Sequence, residues 1–167
     1  MHQPFRHLRY MVRWLEPVSA RHPRATQRAL ADHLRQRLEA DGDWRLHSRS
    51  HSRGTVAVAG GNPPLTRLGV DVEYADPRRP WRDIASLWLP AFADTRGLGP
   101  PEFCRGWTFG EAHLKAFGAV PAPETLIAAL RAPHSDDEPV RFGARRYWYS
   151  EPLPGDFWLT LVWEEEI

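Results

Sequence analysis

The chain has 167 residues, of which 42% are hydrophobic and 11% aromatic, and its formal net charge is +1. This composition argues against a fully unstructured chain and suffices for the core of one domain. Cys104 is the single cysteine, which excludes an intrachain disulfide and a cysteine-rich zinc site.

Sequence signals for membrane insertion or secretion are missing. No apolar run approaches the roughly 18 residues that predict a transmembrane helix. Arg and His interrupt the N-terminal stretch MHQPFRHLRYMVRW before the apolar core of a signal peptide develops. We therefore expect a cytoplasmic protein that binds no membrane.

The first part of the chain predicts one helix and two short strands. Leucines recur at every fourth position from Leu30 to Leu38, and Gly42 then interrupts the pattern. A turn at Arg53-Gly54 separates two stretches of strand-forming residues. The predicted elements are a helix over residues 24–40 and strands over 44–51 and 55–59.

The second part of the chain predicts three strands and two helices. Residues 66–74 alternate apolar side chains with Gly69, Asp71 and Glu73, which predicts a half-buried strand with one polar face. Gly118 is typical of the end of a helix, and a Pro-Gly pair at 154–155 predicts a hairpin turn. The further predicted elements are helices over 82–93 and 101–118 and strands over 140–149 and 156–164.

The basic residues are nearly all arginine and concentrate in the first part of the chain. Of the 22 basic residues, only Lys115 is a lysine. Residues 1–70 carry 12 arginines and five acidic residues, whereas residues 71–167 carry ten basic and 16 acidic residues. A basic half can bind nucleic acid or a polyphosphate ligand. Because neither a zinc-finger spacing nor an aromatic RNA-binding signature accompanies it, we expect no nucleic-acid partner.

Two acidic side chains share one face of the predicted strand over 66–74. The alternation of a strand points Asp71 and Glu73 to the same side, where two like charges repel unless a cation lies between them. Mg²⁺ prefers such oxygen ligands and is often held by one or two carboxylates together with substrate phosphates. The alternative interpretation is an exposed polar face with two solvated acids.

Two further patterns could carry chemistry. Glu111 and Lys115 lie four residues apart on one helix face, which also describes an ordinary surface ion pair. The segment Ser50-His51-Ser52 precedes a glycine turn and could direct donors at an anion, or it could simply be a turn of polar residues.

Together and in this order, the three patterns resemble the 4′-phosphopantetheinyl transferases of the surfactin-synthetase-activating type. The family pattern is Ser-His-Ser, then Gly-Val/Ile-Asp-x-Glu, then Trp-Ser/Thr-x-Lys-Glu-Ala-x-x-Lys. The matching segments here are Ser50–Ser52, Gly69–Glu73 and Trp107–Lys115. The resemblance covers roughly residues 45–165, and the single lysine falls on a motif position.

The resemblance implies an α+β fold of two similar α/β half-domains related by a pseudo-two-fold axis, with the active site in the cleft between them. The first half would be a shortened basic segment over residues 1–65, and the second half would be residues 66–167. Because 70 residues precede Asp71, we expect a monomer rather than the trimer of the smaller acyl-carrier-protein-synthase type.

The resemblance also implies a function. The chain would transfer 4′-phosphopantetheine from coenzyme A to a serine of an apo acyl or peptidyl carrier protein, releasing 3′,5′-ADP. The implied roles are Asp71, Glu73 and Glu111 as Mg²⁺ ligands, Glu111 and Lys115 as catalytic residues, and Lys115, Ser50, His51, Arg45, Arg49 and Arg13 as coenzyme A contacts.

Two departures from the family pattern give an alternative. Gly110 stands where the family has a lysine, and the first half lacks the family's Gly-Lys-Pro stretch, with DGDWRL roughly in its place. The alternative is a transferase-like protein that binds coenzyme A or a carrier protein without turnover.

Overall fold

A computed structural model describes residues 5–17, 20–88, 99–131 and 138–166. The described part of the chain is an α+β fold with four helices and two antiparallel sheets. No helix in these ranges is both long and apolar enough to cross a membrane. In chain order the elements are β1 (Leu8–Trp14), α1 (Arg24–Ala40), β2 (Leu46–Ser52), β3 (Thr55–Gly61), β4 (Leu65–Tyr74), α2 (Trp81–Trp88), α3 (Pro100–Phe117), α4 (Pro123–Arg131), β5 (Val140–Arg141), β6 (Arg146–Leu153) and β7 (Phe157–Glu165).

The two sheets have related strand orders. The first sheet has the order β1-β3-β2, and the second has the order β4-β7-β6-β5. In the first sheet, β1 is followed by one helix and a hairpin; in the second, β4 is followed within the described residues by three helices, β5 and a hairpin. In both sheets the last strand of the hairpin pairs with the first strand of the sheet. As a consequence, β1 and β4, which open the two sheets, are both edge strands.

The sheets pack face to face, and a helix covers the outer face of each. The cluster between them joins Leu8 and Tyr10 of β1 to Val70 and Val72 of β4 and to the inner face of β7. Helix α1 covers the other face of the first sheet through its leucines at 34 and 38. Helix α3 covers the second sheet through its buried face around Phe109.

Helix α3 packs against β4 at its closest point over Gly69. A methyl group at this position would lie 2.0 Å from the carbonyl oxygen of Ala112, which is far inside van der Waals contact. The missing side chain therefore allows the helix backbone to rest on the strand. The helix ends at Gly118, whose φ of 73° is the left-handed conformation that glycine adopts without strain.

Most elements lie where the sequence predicts them. The helices predicted over 24–40 and 101–118 and the strands around the Arg53-Gly54 and Pro-Gly turns are confirmed within a few residues. Helix α2 confirms the start of the helix predicted over 82–93, and residues 89–93 lie outside the described residues.

Three sequence predictions need correction. The strand predicted over 140–149 is two strands, because residues 142–145 form a bend between β5 and β6. Strand β1 and helix α4 were not predicted at all. The polar face of β4 is also less exposed than predicted: Asp71 is only 6% exposed, because β2 and α3 cover it.

Candidate active site

The inner face of β2 lies along the outer edge of β4, and three alternating serines make the contact. Ser48 Oγ accepts a hydrogen bond from the Val70 amide at 2.9 Å. Ser52 Oγ accepts one from the Tyr74 amide at 3.2 Å. Between them, Ser50 Oγ donates to Oδ1 of Asp71 at 2.6 Å. The serines therefore satisfy an edge strand that has no strand partner on this side.

Asp71 is a buried carboxylate with two donors on one oxygen. Its Oδ1 accepts from Ser50 and, at 2.9 Å, from the ammonium of Lys115. Burial raises the pKa of Asp71 to about 6. Lys115 and the Ser50 hydroxyl oppose this shift, while the neighbouring charge of Glu73 adds to it. The side chain can therefore change its protonation state close to neutral pH.

Lys115 joins three elements at one point. Its Nζ donates to the Val70 carbonyl at 2.9 Å, to Oδ1 of Asp71 at 2.9 Å, and to the Arg49 carbonyl at 3.3 Å. These acceptors belong to the edges of β4 and β2, and the lysine itself comes from α3. The close approach at Gly69 brings the helix near enough for this reach.

Glu73 has a separate set of partners. Its Oε1 accepts from Ser52 Oγ at 2.5 Å and from the Tyr74 amide at 3.0 Å. Its Oε2 lies 3.5 Å from the Arg79 guanidinium, which in turn stacks over the ring of Trp81. Asp71 and Glu73 thus share one side of β4, but a different cation balances each of them.

His51 is exposed and lies among cations. Partial burial lowers its pKa, and the charges of Lys115, Arg24 and Arg49 lower it further, against a hydrogen bond to its own backbone that raises it. Arg24 is the first residue of α1, and the first turn of that helix has no acidic residue. Arg49 forms an ion pair with Asp32 at 3.1 Å. This cationic group is suited to an anionic ligand such as a phosphate.

The structure brings together some of the predicted site residues and leaves others apart. Ser50, Asp71 and Lys115 form one hydrogen-bonded cluster, with Glu73 and His51 close to it. Ser50 is buried against Asp71, so its hydroxyl is committed to the carboxylate, whereas the sequence predicted a coenzyme A contact.

Of the other predicted phosphate contacts, Arg49 belongs to the cationic group around His51, whereas Arg13 and Arg45 have different partners. Arg13 donates to the carbonyl of Val12 on β1. Arg45 is exposed, and its amide donates to Asn62. The sequence predictions omitted two residues of the site, Ser48 and Arg24. The alternating serines of LHSRSHS, which include the predicted Ser50 and Ser52, were the signal that could have identified Ser48.

The three carboxylates predicted as Mg²⁺ ligands are not grouped around a metal site in the described part of the chain. Asp71 and Glu73 are oxygen donors of the kind that Mg²⁺ prefers, and their charges interact. Glu111 is half-buried on α3, one turn before Lys115. Nevertheless, the described residues contain no group of three His, Cys, Asp or Glu side chains that could hold a metal ion. The α3 residue that reaches Asp71 is Lys115, and its ammonium supplies the positive charge there.

No protein-family model matches the chain, and the search of curated proteins also found no match.

Proposed function

We propose that this chain transfers the 4′-phosphopantetheine group of coenzyme A to a serine of an apo carrier protein. One observation carries the proposal. Ser50, Asp71 and Lys115 come from the three separate segments that resemble the transferase family, and they form a single hydrogen-bonded cluster.

The strand orders support the corresponding fold. In each sheet the first strand is an edge strand that pairs with the last strand of a C-terminal hairpin, which is what two similar half-domains would share, although the second sheet has two additional helices and the additional strand β5. We propose that they are related by a pseudo-two-fold axis, with residues 1–65 as the first half and residues 66–167 as the second. The cluster around Lys115 lies where the two halves meet, and we propose a monomer.

The transfer is an attack of a serine hydroxyl on the β-phosphorus of coenzyme A. The serine oxygen forms a bond to this phosphorus, the bond to the bridging oxygen breaks, and 3′,5′-ADP departs with the electron pair. Glu111 takes the serine proton on its carboxylate. The ammonium of Lys115 stabilises the charge on the departing group, as positioned cations do in phosphoryl transfer.

The cationic group around His51 would bind the ligand. His51, Arg24 and Arg49 would bind phosphate oxygens of coenzyme A near Lys115. We propose Mg²⁺ as the metal, with Asp71 and Glu73 as ligands and Glu111 as a third. Since the described residues do not group these side chains around a metal site, the Lys115 ammonium would first have to leave Asp71. When bound, Mg²⁺ would neutralise charge on the pyrophosphate.

Mass spectrometry tests the proposal directly. A panel of apo carrier proteins is incubated with the full chain, coenzyme A and Mg²⁺, and a mass gain of one phosphopantetheine group is expected on at least one of them. The Asp71→Asn variant should lose this activity, whereas Asp83→Asn, at an exposed position of α2, should retain it. Absence of transfer to every carrier protein would contradict the proposal.

A second candidate is binding of coenzyme A without turnover. It is favoured by the Lys115–Asp71 ion pair, which occupies the carboxylate, and by Gly110 in place of the family's lysine. Calorimetry separates the two functions. A binding isotherm for coenzyme A together with unmodified carrier proteins would support this second function.

A further inference from the structure

Strand β1 has an outer edge with no strand beside it. The Leu15 amide donates to the Gly54 carbonyl and the Asn62 amide donates to the His7 carbonyl, so the odd-numbered residues of this strand bond to β3. Because hydrogen-bonding directions alternate in an antiparallel ladder, the amides and carbonyls of Tyr10, Val12 and Trp14 point the other way. The described part of the chain contains no strand paired to this side of β1.

The corresponding edge of β4 shows how this fold satisfies such groups. There, Ser48 and Ser52 of β2 accept from the outward amides of Val70 and Tyr74, and Lys115 donates to the Val70 carbonyl. On β1, the described residues give these outward groups a side-chain contact from Arg13, which donates to the Val12 carbonyl at 2.9 Å. The two edges therefore have equivalent positions in their sheets, but only that of β4 is covered.

A groove runs along the uncovered edge. Five consecutive residues, Tyr10 to Trp14, line a cavity of about 210 Å³ together with Arg37 of α1 and Glu151 and Leu153 of β6. Glu151 accepts hydrogen bonds from the phenols of Tyr10 at 2.7 Å and Tyr149 at 3.1 Å, so neighbouring donors already solvate its charge. Most of the remaining wall is apolar, as a strand-binding groove requires.

The charge of the groove selects among possible occupants. Arg13 and Arg37 both line it, and neither forms an ion pair within the described ranges. A second copy paired antiparallel through β1 would bring Arg13 and Arg37 of both copies to one interface, and like charges brought together in this way are destabilising. A segment with acidic side chains would instead meet two cations.

We propose that the outer edge of β1 binds an extended, acidic segment of a partner protein as an added strand. Amides and carbonyls of the segment pair with those of Tyr10, Val12 and Trp14. Its apolar side chains contact the groove wall, and its acidic side chains lie near Arg13 and Arg37. The Arg13 side chain leaves the Val12 carbonyl and is replaced there by an amide of the segment. This interaction does not depend on the transfer reaction.

Synthetic peptides test the proposal on the full chain. The probe is an end-capped hexapeptide of alternating glutamate and valine, and its binding is measured by calorimetry at low and physiological salt. Two peptides methylated at alternate backbone nitrogens are the matched controls. We expect one methylated peptide to bind at least ten-fold more weakly and the other to bind normally, because only one edge of the peptide faces β1. Equal binding of both methylated peptides would overturn strand addition.

Variants of the chain give a second measurement. Val12→Pro removes only an outward amide and leaves the bonds to β3 intact, and prolines are tolerated at such edge positions. It should weaken binding of the probe at least ten-fold, as should Arg13→Glu with Arg37→Glu, whereas Arg28→Glu on the exposed side of α1 should leave it unchanged. Unchanged binding in the first two variants, no binding of the probe at all, or self-association through β1 would each overturn the proposal.

Discussion

The ammonium of Lys115 lies 2.9 Å from Oδ1 of Asp71, although 44 residues separate the two in the chain. The same ammonium donates to backbone carbonyls on the edges of β2 and β4. The single lysine of the chain belongs to α3 and therefore links this helix to both sheets. A lysine suits this position because its three hydrogens can reach three separate oxygens, whereas the planar guanidinium of arginine has a fixed fork geometry.

Replacing Lys115 should destabilise the fold. In Lys115→Met the buried carboxylate of Asp71 loses its cation and the carbonyl of Val70 loses a donor, so we expect the free energy of unfolding to fall by about 2–4 kcal/mol. Urea denaturation measures this change. Leu114→Met, at the exposed neighbouring position, is the control and should change stability by less than about 0.5 kcal/mol. Equal stability of the two variants would contradict a structural role for the ammonium.

Asp71 should make stability depend on pH. Its pKa is about 6 in the folded chain against an ordinary value of 3.8, so between these values the folded state binds more protons than the unfolded state. The contribution of Asp71 to stability is therefore fully present below about pH 4 and is lost as the pH rises through about 6. Urea denaturation from pH 4 to 7 should show this decline for the natural chain relative to Asp71→Asn. Parallel pH profiles for the two proteins would contradict the raised pKa.

The contact between α3 and β4 predicts a severe effect at Gly69. In Gly69→Ala the new methyl group would meet the Ala112 carbonyl at 2.0 Å, and because this atom belongs to the helix backbone, the whole helix must move. We expect a loss of about 3 kcal/mol, typical of overpacking, in thermal or urea unfolding. Gly143→Ala is the matched control, since its nearest contacts are with the Arg146 side chain at 3.3 Å. A variant at Gly69 as stable as the control would show that α3 adjusts freely.

The elements with regular patterns were predictable from the sequence. Helices α1 and α3 and strand β4 repeat apolar residues over many positions, and a glycine follows each of the two helices. The sequence does not predict strand β1, because its arginines interrupt the apolar pattern, although Leu8, Tyr10, Val12 and Trp14 alternate as in a half-buried strand. Helix α4 is not predicted either, because its nine residues are too few for a clear helical pattern.

The sequence predicted only the part of the site that depends on the spacing of residues within one element. The spacing of Asp71 and Glu73 places both on one side of β4, as expected. The partners of each carboxylate depend instead on how two sheets and a helix meet, which no local pattern encodes. For this reason the sequence predicted Glu111 as the α3 partner of Asp71, whereas in the structure Lys115 contacts it. The role of the β2 serines in satisfying the edge of β4 was not predicted either.

The hydroxyl of Ser50 should lower the pKa of Asp71. This hydroxyl donates to the carboxylate and lowers the pKa of Asp71 against the effect of burial, so Ser50→Ala should raise that pKa further. Carboxyl-carbon NMR titration measures the shift directly. Ser86→Ala, at an exposed position of α2 where the hydroxyl contacts its own helix, should leave the titration unchanged. A titration of Asp71 that does not move in Ser50→Ala would show that the hydroxyl donates elsewhere in solution.

The pKa of His51 should respond to the cations that surround it. Burial and the charges of Lys115, Arg24 and Arg49 lower its pKa, so removing one cation should raise the pKa and so should an anion bound among them. Proton NMR titration of the imidazole should therefore show a higher pKa in Arg24→Gln than in the natural chain. Arg28→Gln, one turn along α1 and exposed, should have a smaller effect, because Arg28 is not among the charges that act on His51. Addition of 3′,5′-ADP should raise the pKa of His51 in the natural chain and raise it less in Arg24→Gln. If the nucleotide leaves the imidazole titration unchanged, the cations around His51 do not form the phosphate site that we propose.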